Sequence, residues 1–289
     1  MRLAVISSID AAVDLYNDAK GMPGTITKAS VFGTLGIRIN GPIVEGHPHI
    51  LSAASSSGMA LAVKILDSSC AAAEVEACQK LCLGGYDAPP SEVYLLNCSS
   101  TTLNHVDSQE SNILNRAPGS YQALVMPRYA TTVAELPQLT ETAIVAGILR
   151  LKTAVDYVHS KGLVHMDVKA ANVFVDSVGG WVLGDFGSCV SNGKPVRSCT
   201  YMFHPAGKKL LASDAIVSFD VDFLLILLIM ELNKEDDAWK PKLFDSTSKR
   251  VLAENIRAEC NRTHALVDGV DVVHKLAQEL LLGVSPLFC

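Results

Sequence analysis

His165-Met166-Asp167-Val168-Lys169-Ala170-Ala171-Asn172, followed by Asp185-Phe186-Gly187, is the stretch from which the rest of this chain is read. An aspartate and an asparagine five residues apart, Asp167 and Asn172, fall on one short loop. Val173-Phe174-Val175 reads as a strand, Asp176 to Gly180 as a tight turn and Trp181 to Leu183 as the returning strand. That hairpin delivers a second acidic residue, Asp185, beside the first loop. Two carboxylates, an amide oxygen and an ammonium on one spot form a donor set suited to a magnesium-bound nucleotide and a hydroxyl nucleophile.

Working outward, the 289 residues are enough for one large domain or two lobes. A hydrophobic share of 49% against 19% charged residues marks a folded globular chain. The net charge of -6 gives no support for nucleic-acid binding. Eight cysteines are scattered without a C-x-x-C pair, which argues against a zinc site or a disulfide framework. Reduced thiols and a cytoplasmic location are expected, with the nucleus as the alternative. No secretory signal is expected at the N-terminus, and Phe223 to Met230 is too short an apolar run to span a bilayer, so no membrane partner is expected.

The spaced pair of motifs resembles the catalytic loop (H-R-D-L-x-x-x-N) and metal-binding motif (D-F-G) of the protein kinase superfamily, serine/threonine-like because a lysine follows the aspartate by two. The resemblance covers about residues 25 to 285 and is strongest from 159 to 187. It implies an α+β, bilobal protein-kinase-like fold: a small lobe with a β-sheet and one helix, and a mainly helical large lobe shortened at its C-terminus. The expected divisions are an extension over 1–24, the small lobe and hinge over 25–129, and the large lobe over 130–289.

The small lobe is read in order. Residues 1 to 20 are expected to form a short helix, and Thr25 to Asn40 two strands around a bend, stopped by Gly41-Pro42. The family's glycine-rich phosphate flap falls here, with Lys28 and Ser30 on its first two glycines, Phe32-Gly33 kept, and Leu35 on its valine. Two glycines are therefore replaced, leaving a degraded flap. Gly46 to Gly58 is expected as a solvated loop carrying His47 and His49. Ala60 to Leu66 is an apolar strand broken by Lys64, whose charge needs a partner if buried. Glu74 is the better partner, since Cys78 and Leu81 follow it on one helix face; Glu76 is the alternative, and the two cannot both face Lys64. Glu92 to Leu96 is expected as a strand, a polar loop runs on to Gly119, and Tyr121 to Met126 is the next strand. The resemblance puts Met126 at the back of an adenine pocket and makes Pro127-Arg128-Tyr129 the hinge. Tyr129 would be the amide donor, so the missing N–H of Pro127 costs nothing. Ala62 and Phe174 complete the nucleotide-binding set.

In the large lobe, Leu136 to Ser160 has helical apolar spacing and ends at Gly162. His165 is expected to pack under Phe186. Asp220 or Asp222 should begin a buried central helix and cap the catalytic loop from below; an ordinary N-cap is the alternative role. The resemblance makes Asp167 the base for a substrate hydroxyl, Lys169 a neutraliser of the transferred phosphate, and Asn172 and Asp185 the Mg2+ ligands, with Lys64 and Glu74 fixing the other phosphates of ATP. Met166 replaces the usual arginine (a non-RD loop), so a phosphate on the activation segment, Ser188 to Phe203, loses its main docking cation. Ala206 stands where the family has a glutamate, and the arginine that pairs with it is not found by Cys289.

The leading expectation is an ATP-dependent protein serine/threonine kinase acting on a protein substrate, with a regulatory partner completing the large lobe. A nucleotide-gated scaffold, or pseudokinase, is the alternative. A small-molecule kinase is a third reading, against which the intact D-F-G and Lys169 speak.

Overall fold

Strands made of small and apolar residues alternate their burial, and that alternation builds the first half of this molecule. The structure is a computed structural model, and it describes residues 37–44, 47–55, 57–83, 89–106, 119–201, 204, 207–235, 276, 279–280 and 282–283. The expected helix over 1–20 and almost all of the expected strand pair over 25–40 lie outside them. The chain divides into two units: residues 1–89 with 96–129, and residues 90–95 with 130–289.

The first unit is a five-stranded antiparallel sheet: β1 (Ile37–Val44), β2 (His47–Ser55), β3 (Ala60–Asp67), β4 (Ser99–Val106) and β5 (Gly119–Pro127) in the order β1-β2-β3-β5-β4. Helix α1 (Ser68–Lys80) follows β3 without a break. Leu61, Val63 and Ile65 of β3 and Tyr121, Ala123 and Val125 of β5 share one buried face with Ile37, Leu51 and Ala53. Helix α1 buries Ala71, Glu74, Ala77 and Cys78, with Leu81 just beyond its end: a stripe at i, i+3, i+6, i+7 and i+10.

Several expectations are corrected here. Gly46 to Gly58 is not a loop, because His47–Ser55 is strand β2 and the real turn follows it, with Ser55 accepting from Gly58 N–H. The pattern was hidden by small residues: buried Leu51 and Ala53 alternate with half-buried Ser52 and Ala54. Gly41-Pro42 does not stop a strand either. β1 runs through both with register shifts on each side of the dipeptide, which an edge strand tolerates because it need not donate on its open side. Glu92 to Leu96 contributes an isolated bridge at Leu95, while the supposed polar loop supplies β4, rich in serine and threonine. An edge strand can carry such a sequence, since it is recruited by backbone pairing to β5 rather than by an apolar face.

The second unit is built on two helices, α2 (Glu141–Ser160) and α3 (Ser218–Leu232). Helix α2 starts at Glu141 rather than Leu136, because Thr140 caps it by accepting from Ala143 N–H and Pro137 falls in the approach. It ends where Gly162 takes a left-handed φ of 72°, its N–H donating to His159 O. Phe219 and every residue from Phe223 to Ile229 of α3 are buried. Leu276 and Leu280 are buried as well. Short antiparallel pairs, β6 (Leu163–Val164) with β9 (Val190–Ser191) and β7 (Val173–Val175) with β8 (Trp181–Leu183), finish the unit. The hairpin β7–β8 falls where the motif spacing puts it. Gly147 of α2 lies flat against the Trp181 indole, and a Cβ there would meet the ring. No helix among the described residues is long and apolar enough to cross a membrane.

Candidate active site

The residues singled out from the sequence fall into two groups, one in each unit. Lys28, Ser30, Gly33 and Leu35 lie outside the described residues.

In the first unit, Lys64 points away from the face shared by Leu61, Val63 and Ile65. Its Nζ donates to both carboxylate oxygens of Glu74, at 2.8 and 3.1 Å. Glu74 sits within the apolar stripe of α1 and only 6% of its side chain is exposed, so without the lysine it would be a buried lone charge. Glu76 is exposed and pairs with Lys80 instead. Ala62 and Met126 are opposite one another across β3 and β5, and Pro127 faces Leu61. The Arg128 N–H donates to Ala60 O, extending the ladder past the proline, and half-buried Tyr129 follows. Beside the ion pair, Cys98 has its thiol pushed well up, first by its hydrogen bond with Cys78 and then by burial, which keeps it protonated.

In the second unit, the loop from His165 to Asn172 is suspended from Asp220. That aspartate is fully buried; its Oδ2 accepts from His165 N–H at 2.7 Å and its Oδ1 from Met166 N–H at 2.8 Å. His159 Nε2 reaches Oδ2 at 2.8 Å. Asp220 thus satisfies loop amides, and it does so from inside α3, which begins at Ser218 with no side-chain cap. The anchoring holds Met166, a non-glycine residue, at φ 67° in a fully buried position. His165 Nδ1 accepts from Asp167 N–H and Nε2 donates to Gly184 O, while its ring meets Phe186 edge-on at 5.5 Å. Asp222, the other candidate, is buried against His204 at 2.8 Å.

Asp167 is the centre of this group. Oδ2 accepts from Lys169 Nζ at 2.7 Å and from Asn172 Nδ2 at 2.9 Å, and Oδ1 accepts from Thr200 N–H at 2.9 Å. Burial works to raise its pKa, yet the hydrogen bonds from Lys169 and Thr200 and the lysine charge outweigh it and hold the carboxyl below its ordinary value. Lys169 also donates to Thr200 Oγ1 at 2.5 Å. The nearby Cys199 thiol is pushed up to about 11 by burial and by the charge of Asp167. Asn172 gives a second hydrogen bond to Asp167 O, so both amide hydrogens are committed and its carbonyl oxygen is the remaining donor atom. Asp185 follows the hairpin at φ 58° and ψ 77°, a left-handed conformation held at the mouth of the Phe186 turn. Phe174 is half-buried in β7, opposite Val182 and bridged to Thr132.

Thr200, His204 and His159 take part in this network, and the motifs alone do not mark them. Thr200 is the one with a local signal, since it falls in the segment from Ser188 to Phe203.

The fold is that of a protein kinase-like molecule. Residues 121–206 match the family model described as the protein kinase domain. The serine/threonine-protein kinase US3 of human herpesvirus 2 is 37% identical over 29% of this chain and 18% of its own length. Mitogen-activated protein kinase kinase kinase 17 of Arabidopsis thaliana is 36% identical over 24% of this chain and 18% of its own length. The chain therefore spans under a fifth of either relative. Among solved structures, the Cydia pomonella granulovirus kinase PK-1 superposes with a TM-score of 0.56 at 16% identity, over 88% of this chain and 95% of that one. Over residues 121–206 the chain is similar to the protein kinase domain, and its fold is kinase-like.

Proposed function

We propose that this protein transfers the γ-phosphate of Mg-ATP to serine or threonine hydroxyls of a protein substrate. The observation that carries the reading is the state of Asp167: a buried carboxylate kept ionised by Lys169 and Thr200, with Asn172 fixed against it. A carboxylate with a depressed pKa is a weak base at neutrality, so its first task is to orient the hydroxyl. It takes the proton as the new phosphate ester bond forms and the bond from the γ-phosphorus to the bridging oxygen breaks, releasing ADP. Lys169, two residues on, supplies positive charge beside the same oxygen. Asn172 Oδ1 and the Asp185 carboxylate are hard oxygen donors of the kind that hold Mg2+ together with phosphates rather than in an all-protein cage. When bound, the metal neutralises phosphate charge. Lys64, held by Glu74, is the cation proposed for the remaining phosphates. Positioning and charge account for most of the rate expected of such a site.

A nucleotide-gated scaffold is the second reading, favoured by Lys28 and Ser30 in place of two flap glycines. The test is transfer of labelled γ-phosphate to a generic protein and to the chain itself, beside Asp167→Asn and Lys64→Met. Transfer that falls at least a hundredfold in both variants supports the kinase reading. No transfer, with Mg-ATP still raising the melting temperature, supports the scaffold. Because Met166 offers no guanidinium, phosphorylation of the segment from Ser188 to Phe203 is expected to change the rate little. A large gain on phosphorylation would overturn that expectation.

A further inference from the structure

Two buried carboxylates stand two residues apart on α3, Asp220 and Asp222, and at that spacing their side chains diverge. Asp220 holds the amides of the loop before Asp167. Asp222 Oδ2 lies 2.8 Å from His204 Nε2, and both side chains are closed to solvent. The His204 ring is walled by Phe219 and Phe223, with centroids 6.2 and 5.3 Å away. Burial leaves no water to take over the bond if either partner is lost.

His204 belongs to the stretch that returns Thr200 to Asp167. Its N–H donates to Tyr201 O at 3.1 Å, next to Thr200, and its carbonyl accepts from Gly207 N–H at 2.8 Å. Thr200 itself donates to Asp167 and is met by Lys169. The ends of this stretch are closed on each other. Gly193 N–H donates to Ala215 O, Ala215 N–H to Lys194 O and Val196 N–H to Ser213 O, at 2.7 to 3.0 Å. Ala206, standing where the family has a glutamate, brings no charge to this end of it. The contacts form a circuit. It runs from Asp167 to Thr200 and Tyr201, from His204 to Asp222, and along α3 to Asp220. It returns through the His165 and Met166 amides.

We propose that the His204–Asp222 pair is a built-in clasp that holds Thr200 against Asp167, so that this placement needs no phosphate on the segment. His204 and Asp222 are positioning residues, acting on the substrate hydroxyl through Thr200 and Asp167. The inference deepens the phosphotransfer reading and rests on it for its consequence, but the clasp itself is read without any transfer.

The experiment uses the full chain, treated with phosphatase, beside three variants. His204→Leu removes the bond, His204→Asn is too short to reach Asp222, and His204→Gln puts an amide nitrogen near the place of Nε2. One readout is the rate of iodoacetamide labelling at Cys199, followed by peptide mass spectrometry, with buried Cys189 of the same unit as reference. The Cys199 thiol is pushed up by burial and by the charge of Asp167, so withdrawal from Asp167 speeds its labelling. The other readout is kcat and the KM for ATP in phosphate transfer. His204→Leu is expected to label at Cys199 at least about tenfold faster, with Cys189 unchanged. Its kcat should fall at least about tenfold, with the KM for ATP within about twofold of native. His204→Gln should recover both rates to within about threefold of native. If His204→Leu does not fold, His204→Asn carries the test, with Cys199 labelled at least about threefold faster at unchanged Cys189.

Faster labelling confined to Cys199, in a chain that transfers no phosphate, keeps the clasp and sinks the kinase reading. Native transfer with either readout unaltered by the loss of His204 keeps the kinase reading and overturns the clasp. The clasp is equally overturned if Cys189 accelerates with Cys199, if His204→Gln recovers nothing, or if the native chain transfers only before phosphatase treatment. No transfer and no change at Cys199 overturns both.

Discussion

The two units bury charge in opposite ways. In the sheet unit, a buried ion pair, Lys64 with Glu74, lies between a strand and a helix and draws on two residues ten apart. In the helical unit, one carboxylate inside α3, Asp220, gathers two backbone amides and a histidine from segments more than 50 residues away. Asp167 then adds a second convergence of donors above it. Losing Lys64 strands one buried carboxylate, that of Glu74, outside the backbone ladder of the sheet. Removing a convergent carboxylate orphans several buried donors at once. The sheet unit stakes one buried carboxylate on its cation, whereas the helical unit is folded around its charges.

That contrast can be broken at its strongest point first. Asp220→Ala leaves the His165 and Met166 amides buried without their acceptor. It is expected to cost on the order of 3–5 kcal/mol, as for other broken buried charge networks. Urea denaturation followed by tryptophan fluorescence measures it. A loss below about 1 kcal/mol would show that the loop does not depend on this anchor.

Next, Gly147→Ala pushes a methyl into the Trp181 ring. Overpacking of this kind costs about 1–3 kcal/mol, and the same denaturation should show it together with a change in Trp181 emission. An unchanged midpoint would mean that the hairpin and α2 yield to each other more easily than a packed core does.

A smaller effect depends on pH. Asp176 accepts from Val178 and Gly180 N–H and from Arg150 Nη2, the last at 2.7 Å. Burial opposes ionisation, but these partners prevail and lower its pKa from 3.8. A lowered folded-state pKa means stability that is present above 3.8 and disappears as pH falls through the folded value. The melting-temperature gap between the native chain and Asp176→Asn should therefore be constant from pH 5 to 7 (about one to three units above the ordinary carboxylate range) and close in more acid solution. A gap that widens on acidification would contradict the assignment.

The smallest effect separates the two glutamates of α1. Glu76→Gln removes an exposed i,i+4 pair with Lys80, worth roughly 0.3–0.5 kcal/mol, and should leave phosphate transfer unchanged. Glu74→Gln should reduce transfer at least tenfold with a modest shift in melting temperature. Equal effects from the two would remove Lys64 from its proposed role.

Much of the second unit is legible in its sequence because its chemistry is local. Asp167, Lys169 and Asn172 lie within six residues, a short hairpin carries the chain to Asp185, and the apolar spacing of α2 and the wholly apolar α3 mark themselves. The sheet unit is harder to read. β2 and β4 are written in serine, threonine, alanine and histidine, with little apolar alternation, and only pairing with β3 and β5 makes them strands. Lys64 and Glu74 could be paired from spacing, since Glu74 falls on the stripe that Ala71, Cys78 and Leu81 define.

By itself, then, the sequence determined the loop from Asp167 to Asn172, the hairpin, the two long helices and the choice of Glu74 over Glu76. Those follow from residue type and short spacing. Tertiary structure alone decided that Asp220 holds the loop while Asp222 takes His204, that Thr200 returns to Asp167, and that Met230 and Ala171 line one pocket. Each of these joins residues 18 to 59 positions apart. A hydrogen bond or a cavity wall across such a distance exists only once packing has fixed both ends, and no local propensity encodes it.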